Sequence, residues 1–121
     1  MNYHIIELNG KEIKFRLKSK DSIEIERKYG KSVIDLIGDP SMTSVITLLK
    51  YMRRGEIPNF SDDNTYELYD SLVDNNYVME TILTEILYPT LVVSGFLKKE
   101  DMDEALANIE NKKSSDKNQE D

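Results

Sequence analysis

Apolar and polar side chains alternate along residues 3–17, on either side of an Asn-Gly pair. Asn9 and Gly10 both tolerate the positive φ angles of a type I′ turn, so the pattern predicts a two-residue β-hairpin. A turn of this length sets the register of the two strands. The predicted cross-strand pairs are Leu8 with Lys11, Ile6 with Ile13 and His4 with Phe15. The predicted core face carries Ile6, Leu8, Ile13, Phe15 and Leu17.

Helical periodicity replaces this alternation in the rest of the chain. The predicted helical segments cover about residues 21–29, 33–37, 40–54, 62–74, 77–88, 90–97 and 100–109, and the segment at 90–97 continues the one at 77–88 beyond Pro89. Gly30 is expected to end the first helix in the left-handed conformation, and Asp39 and Ser61 are expected to cap the third and the fourth. Pro89 lacks a backbone N–H and clashes with the preceding turn, so we expect a kink or a break there.

These elements predict an α+β fold that is mostly α-helical, with the N-terminal β-hairpin packed on a bundle of about five to six short helices. The hairpin needs the helices, because two strands alone are marginally stable in water. A length of 121 residues suits one domain. We expect it to span residues 1–109. Residues 110–121 are almost wholly polar and are predicted to form a disordered tail.

The charge balance narrows the range of partners. The net charge is −7, with 32% charged residues. Nucleic acid and anionic membranes are bound through clustered positive charge, so neither is expected as a partner. The sequence begins without a basic and apolar leader, and its longest apolar stretch, residues 82–97, is interrupted by polar residues and Pro89. We therefore expect neither a secretion signal nor a membrane span.

Residue types that carry catalysis are sparse. The chain has no cysteine and one histidine, His4, so a metal-ligand or nucleophile cluster has few members to draw on. The five glycines stand apart instead of forming a phosphate-binding loop. We interpret His4 as a structural residue opposite Phe15. The sequence therefore predicts a protein that is not an enzyme, with no catalytic residues, no metal and no cofactor.

The tyrosines are candidates for contact with a partner. Tyrosine suits half-wet surfaces, because its ring is apolar and its hydroxyl is polar. The candidates for partner binding or self-association on the helices are Tyr66, Tyr69, Tyr77 and Tyr88. The predicted apolar stripe of the fourth helix is Tyr66, Tyr69, Leu72 and Val73. In the alternative interpretation, the tyrosines surround the core with their hydroxyls pointing outward.

Tyr3 and Ile5 are two further candidates for partner binding or self-association. They are apolar neighbours on the outer face of the predicted hairpin, in a row that is otherwise charged. An exposed strand edge can pair with a strand from another chain, so the protein could self-associate or bind a partner through the hairpin. In the alternative, the C-terminal segment folds back over these two side chains.

Three segments of the opening third of the chain together resemble a known family. They are Leu8-Asn-Gly-Lys-Glu-Ile-Lys-Phe-Arg-Leu17, Arg27-Lys-Tyr-Gly30 and Lys31-Ser-Val-Ile-Asp-Leu-Ile37. The arrangement of a hairpin with an Asn-Gly-Lys turn, a helix with a Tyr-Gly end and a Ser-plus-aliphatic stretch is similar to that of the tail assembly chaperones of long-tailed bacteriophages and prophages of Gram-positive bacteria. The resemblance covers residues 3–55.

The resemblance implies a function without catalysis. Such chaperones bind the long, helical tape measure protein and keep it soluble until the tail tube assembles around it. It also implies action in the cytoplasm of the host cell and absence from the mature virion. The tail tube protein and further copies of the chain are additional expected partners.

A small regulatory binding protein is the alternative function. An antitoxin or an anti-repressor adaptor would share the size, the acidity and the lack of catalytic motifs. The neighbouring gene distinguishes the two readings, because a tape measure gene supports the chaperone and a toxin or repressor gene supports the adaptor.

Overall fold

A two-stranded antiparallel hairpin and six helices make up the fold within the residues that the computed structural model describes, which are 2–119 for the backbone and 2–111 for the side chains. The predicted α+β class is therefore confirmed. The strands are β1 (His4–Leu8) and β2 (Lys11–Phe15). The helices are α1 (Ser19–Tyr29), α2 (Val33–Gly38), α3 (Met42–Arg53), α4 (Asp62–Asp74), α5 (Met79–Ile82, Leu83–Leu87 and Tyr88–Val93 joined end to end) and α6 (Lys99–Gln119).

The hairpin has the predicted turn and register. Asn9 and Gly10 adopt φ angles of 54° and 77°, as a type I′ turn requires. The cross-strand pairs are His4 with Phe15, Ile5 with Lys14, Ile6 with Ile13, Glu7 with Glu12 and Leu8 with Lys11. The predicted inner face is also confirmed. Leu8, Phe15 and Leu17 are buried, and Ile6 and Ile13 are partly buried against the core.

Helix α3 lies at the centre of the core, and the end of the hairpin is attached to it. Its residues Val45, Leu48, Leu49 and Met52 are fully buried. The backbone N–H of Arg16, directly after β2, donates to the carbonyl of Met52 at 2.9 Å. The hairpin therefore contacts α3 through its backbone as well as through its apolar face.

Arg53, the last residue of α3, is a buried cation that contacts strand β2 of the hairpin. Its Nη1 donates to the carbonyl oxygen of Lys14 at 2.6 Å and lies 2.9 Å from Oε1 of Glu56. Its guanidinium carbon is 5.9 Å from the ring centre of Phe15 and 5.1 Å from that of Phe60. The side chain thus contributes hydrogen bonds and cation–π contact, in addition to the favourable placement of a cation in the last turn of a helix.

The ends of the early helices follow local capping chemistry. Gly30 has the predicted left-handed conformation, with φ 69°, and ends α1, which begins two positions before Asp21, at Ser19. The Ser32 hydroxyl caps α2 by accepting from the N–H of Asp35 at 3.1 Å. Ser41, and not Asp39, caps α3, so that prediction was wrong.

Ser41 caps α3 because its partner in the cap, Ser44, is the third residue of that helix. Ser41 and Ser44 form a reciprocal capping box, in which each hydroxyl accepts from the backbone N–H of the other. Asp39 instead ends α2, where its N–H donates to the carbonyl of Asp35.

Helix α5 continues through Pro89, where a kink or a break was predicted: the break does not occur, and the helical segments predicted on either side of the proline form one helix. The segment Leu83–Leu87, just before the proline, has π-helical geometry, and the N–H of Tyr88 donates to the carbonyl of Leu83. The wider turn relieves the contact between the proline ring and the preceding turn. Gly95, with φ 88°, follows the end of the helix.

Helix α6 packs its apolar residues Met102, Ala105, Leu106 and Ile109 against the core. Its backbone runs on to Gln119, beyond the predicted end at Ile109, because residues 110–119 include no glycine or proline to stop it. The last two residues of the predicted tail, 120 and 121, lie outside the described residues. Among the described helices, none is both long and apolar enough to cross a membrane.

Candidate partner-binding groove

An open groove of about 390 Å³ lies between the end of α1, helix α3 and helix α4. Its apolar and aromatic lining comes from Tyr29, Met42, Ile46, Tyr66 and Tyr69. Met42 is 45% exposed and Tyr66 is 52% exposed, so this apolar surface is open to water. An open groove with an apolar and aromatic lining and polar groups at its border is a candidate site for binding another molecule.

Helix α4 buries one face in the core, and side chains outside that face form its wall of the groove. The buried residues of α4 are Thr65, Leu68 and Leu72. Tyr66 lies two positions before Leu68, which places it on nearly the opposite side of the helix. The predicted stripe of α4 was therefore wrong for Tyr66 and for Val73, which is 47% exposed, and correct for Leu72.

The α3 wall was missed as a site from the sequence. Met42 and Ile46 follow the same helical period as the buried Val45, Leu49 and Met52, so periodicity alone places all five on one apolar stripe of α3. In the structure Met42 is exposed and Ile46 is half-buried. The signal in the sequence that could have indicated this wall is the start of the apolar stripe. The stripe begins at Met42, the first residue of α3, where the helix is still exposed.

Polar contacts hold the three walls of the groove together. Nζ of Lys50 on α3 lies 2.9 Å from Oδ1 of Asp62 at the start of α4. The hydrogen bond and the positive charge of Lys50 hold the pKa of Asp62 below its usual value. The Thr47 hydroxyl on α3 donates to the Tyr29 hydroxyl on α1 at 3.2 Å. No group of three or more metal-ligating side chains converges within the described part of the chain.

Only two of the four helical tyrosine candidates line this groove, namely Tyr66 and Tyr69. Tyr88 is 7% exposed and belongs to the core, where burial raises the pKa of its phenol. Tyr77 is half-buried, and burial, with a smaller effect of Glu85, raises its pKa. Tyr88 therefore lies inside the fold instead of on a contact surface, and Tyr77 packs on the edge of the core.

The two hairpin candidates lie on a separate surface. Ile5 is 47% exposed and pairs across the hairpin with Lys14. Tyr3 is half-buried, its hydroxyl lies 3.5 Å from the carbonyl oxygen of Gly55, and Nζ of Lys14 is 5.8 Å from its ring centre. Four apolar side chains of α6, Met102, Ala105, Leu106 and Ile109, pack against the core, while Ile5 stays open to water.

Comparison with known proteins identifies no relative of this chain. No protein-family model matches it, and neither a curated protein nor a solved structure matches it at a significant level.

Proposed function

We propose that the protein is a tail assembly chaperone without enzymatic activity, which binds a tape measure protein and keeps it soluble until the tail tube assembles. The observation that carries the proposal is the open groove between α1, α3 and α4, with Met42 and Tyr66 exposed at its surface. An amphipathic helix binds such a groove by placing its apolar face on the apolar lining. The resemblance of residues 3–55 supplies the identity of the partner.

The physical role of the groove is to cover apolar surface that would otherwise aggregate. A helix with apolar residues at positions i, i+3 or i+4 and i+7 presents one stripe, and that stripe can pack on Met42, Tyr66 and Tyr69. Each square ångström of apolar surface that leaves water contributes roughly 25 cal/mol. The net charge of −7 favours solubility of the chaperone together with its bound partner. The proposed place of action is the host cytoplasm, with release before the virion is complete.

Co-expression with the tape measure protein encoded in the same genome tests the proposal. We expect the tape measure protein to become soluble and to co-purify with the chaperone. The double substitution Met42→Gln and Tyr66→Gln removes exposed apolar surface from the groove without adding charge, and we expect it to abolish both effects. The matched control is Ile34→Gln with Val78→Gln, at residues that are 41% and 59% exposed outside the groove.

Each outcome decides the proposal. A tape measure protein that stays insoluble and unbound beside the wild-type chain contradicts it. Equal loss of capture in the groove variant and in the control variant contradicts the assignment of the groove. Specific capture of a toxin or a repressor encoded beside the gene favours the regulatory adaptor instead.

A further inference from the structure

The helices that line the groove differ in charge. Helix α4 carries five acidic residues, Asp62, Asp63, Glu67, Asp70 and Asp74, and no basic residue. Among the described residues only Asp62 of these five is paired with a cation. At the α1 end of the groove, the last turn of that helix carries Arg27 and Lys28, and Lys28 lines the groove.

The acidic residues on α4 form a continuous rim. Asp63, Glu67, Asp70 and Asp74 are spaced by four, three and four positions, which places them along one side of the helix. All four are exposed, and Asp70 also lines the groove beside Tyr66 and Tyr69. A helix that lies on the apolar lining would therefore have Asp70 at one flank, with the rest of this acidic row beyond it on the same helix.

We infer that the groove selects an amphipathic helix that carries lysine or arginine along the flank facing α4. The inference depends on the proposed docking of a helix in the groove and adds the chemistry of that helix. The apolar lining supplies affinity, and the charged rim discriminates between partners, because a glutamate or aspartate flank would face the acidic rim at close range. The proposed occupant is thus a helix with an apolar stripe and a row of basic residues along one flank.

Two synthetic peptides of about 20 residues, long enough to form a helix, provide the probe. They share one leucine stripe and differ only in one flank, which is lysine in the first peptide and glutamate in the second. We expect the lysine peptide to bind about tenfold more tightly, as two or three screened surface charge pairs allow. The difference is expected to shrink as salt is added. Fluorescence anisotropy of labelled peptides measures both quantities.

Two charge-reversal variants separate the effect of the acidic rim on peptide binding from the effect of the overall charge of the protein. Glu67→Lys with Asp70→Lys reverses part of the rim, and Glu104→Lys with Glu110→Lys makes the same change of net charge at exposed residues of α6. We expect the first variant to lose or invert the preference for the lysine peptide and the second to retain it. Circular dichroism confirms that both variants are folded.

The outcomes also separate this inference from the chaperone assignment. Equal binding of the two peptides, equal effects of the two variants, or no binding of either peptide overturns the inference. Peptide discrimination together with failed capture of the tape measure protein would leave the groove chemistry standing and overturn the chaperone assignment.

Discussion

His4 donates to the carbonyl oxygen of Glu85, which Pro89 cannot do because proline has no backbone N–H. Glu85 lies in the π-helical turn of α5, and the residue four positions after it is Pro89, which has no N–H to donate to the Glu85 carbonyl oxygen. Nε2 of His4 lies 2.6 Å from that oxygen. Because a carbonyl oxygen only accepts, Nε2 carries the proton in this contact. The hairpin thus compensates for the proline in α5, and the single histidine of the chain has a structural role.

We predict that His4→Ala lowers the free energy of unfolding by about 1 kcal/mol, the usual contribution of one hydrogen bond. In a Pro89→Ala background the loss should be smaller, because the new N–H can pair with the carbonyl of Glu85. Urea unfolding of the two single variants and the double variant completes a double-mutant cycle, in which we expect a coupling of at least about 0.5 kcal/mol. Strictly additive costs would show that His4 does not compensate for Pro89.

Gly55 lies against the hairpin, and its lack of a side chain permits the contact. A Cβ atom at this position would meet the carbonyl oxygen of Arg16 and would lie 2.8 Å from its Cβ. We predict that Gly55→Ala lowers the free energy of unfolding by about 2 kcal/mol, because the backbone of the hairpin must shift. Gly38→Ala is the control, since nothing lies within 4 Å of its Cβ position. Chemical unfolding of both variants measures the difference, and equal stability would contradict the prediction.

Local chemistry accounts for the parts of the fold that the sequence predicts well. The turn at Asn9 and Gly10 requires positive φ angles that few residue pairs adopt, and it sets the register without help from the rest of the chain. The end of α1 depends in the same way on Gly30. Such features follow from a few adjacent residues, so a single sequence is enough to predict them.

The groove could not be predicted in this way, because it depends on which face of each helix the distant core selects. Tyr66 and Leu68 are both compatible with an apolar stripe on α4, and only packing against the rest of the fold buries Leu68 and leaves Tyr66 exposed. The hydrogen bond from His4 to the carbonyl of Glu85 on α5 is also a tertiary contact, since the two residues are 81 positions apart in sequence. Local rules predict a kink or a break at Pro89 because they do not include that donor.

Alkaline titration tests the environment of Tyr51. Burial, together with the neighbouring Glu24 that accepts its hydroxyl hydrogen at 3.2 Å, raises the pKa of Tyr51 from 10.0 to about 12. The folded state therefore holds this proton more tightly than the unfolded state. The corresponding stabilisation is complete below pH 10 and is lost as the pH rises through the folded-state pKa.

We predict that between about pH 9 and about pH 11 the wild-type protein loses about 1 kcal/mol more stability than Tyr51→Phe, which has no proton to release. Urea unfolding at the two pH values measures the difference. The other tyrosines are present in both proteins, so their titration cancels in the comparison. Parallel loss of stability in the two proteins would mean that Tyr51 ionises as easily in the folded state as in the unfolded state.

The outer face of the hairpin offers a second surface for assembly. In β2 the edge is partly covered, because the carbonyl of Lys14 accepts from Arg53. In β1, Ile5 is 47% exposed. A second copy of the chain could add its own β1 strand at this edge, and pairing about Ile5 would bring the two isoleucine side chains together and avoid a direct contact between like charges.

We therefore expect the wild-type protein to form dimers at high concentration and Ile5→Lys to shift it to the monomer, because a buried lysine pair at the centre of the new sheet would repel. Ile23→Lys is the matched control, since Ile23 is 48% exposed on α1 and the substitution makes the same change of charge. Sedimentation velocity over a range of concentrations measures the distribution of the three proteins. A wild-type protein that is monomeric throughout the range, or an equal shift in both variants, would exclude assembly through the hairpin.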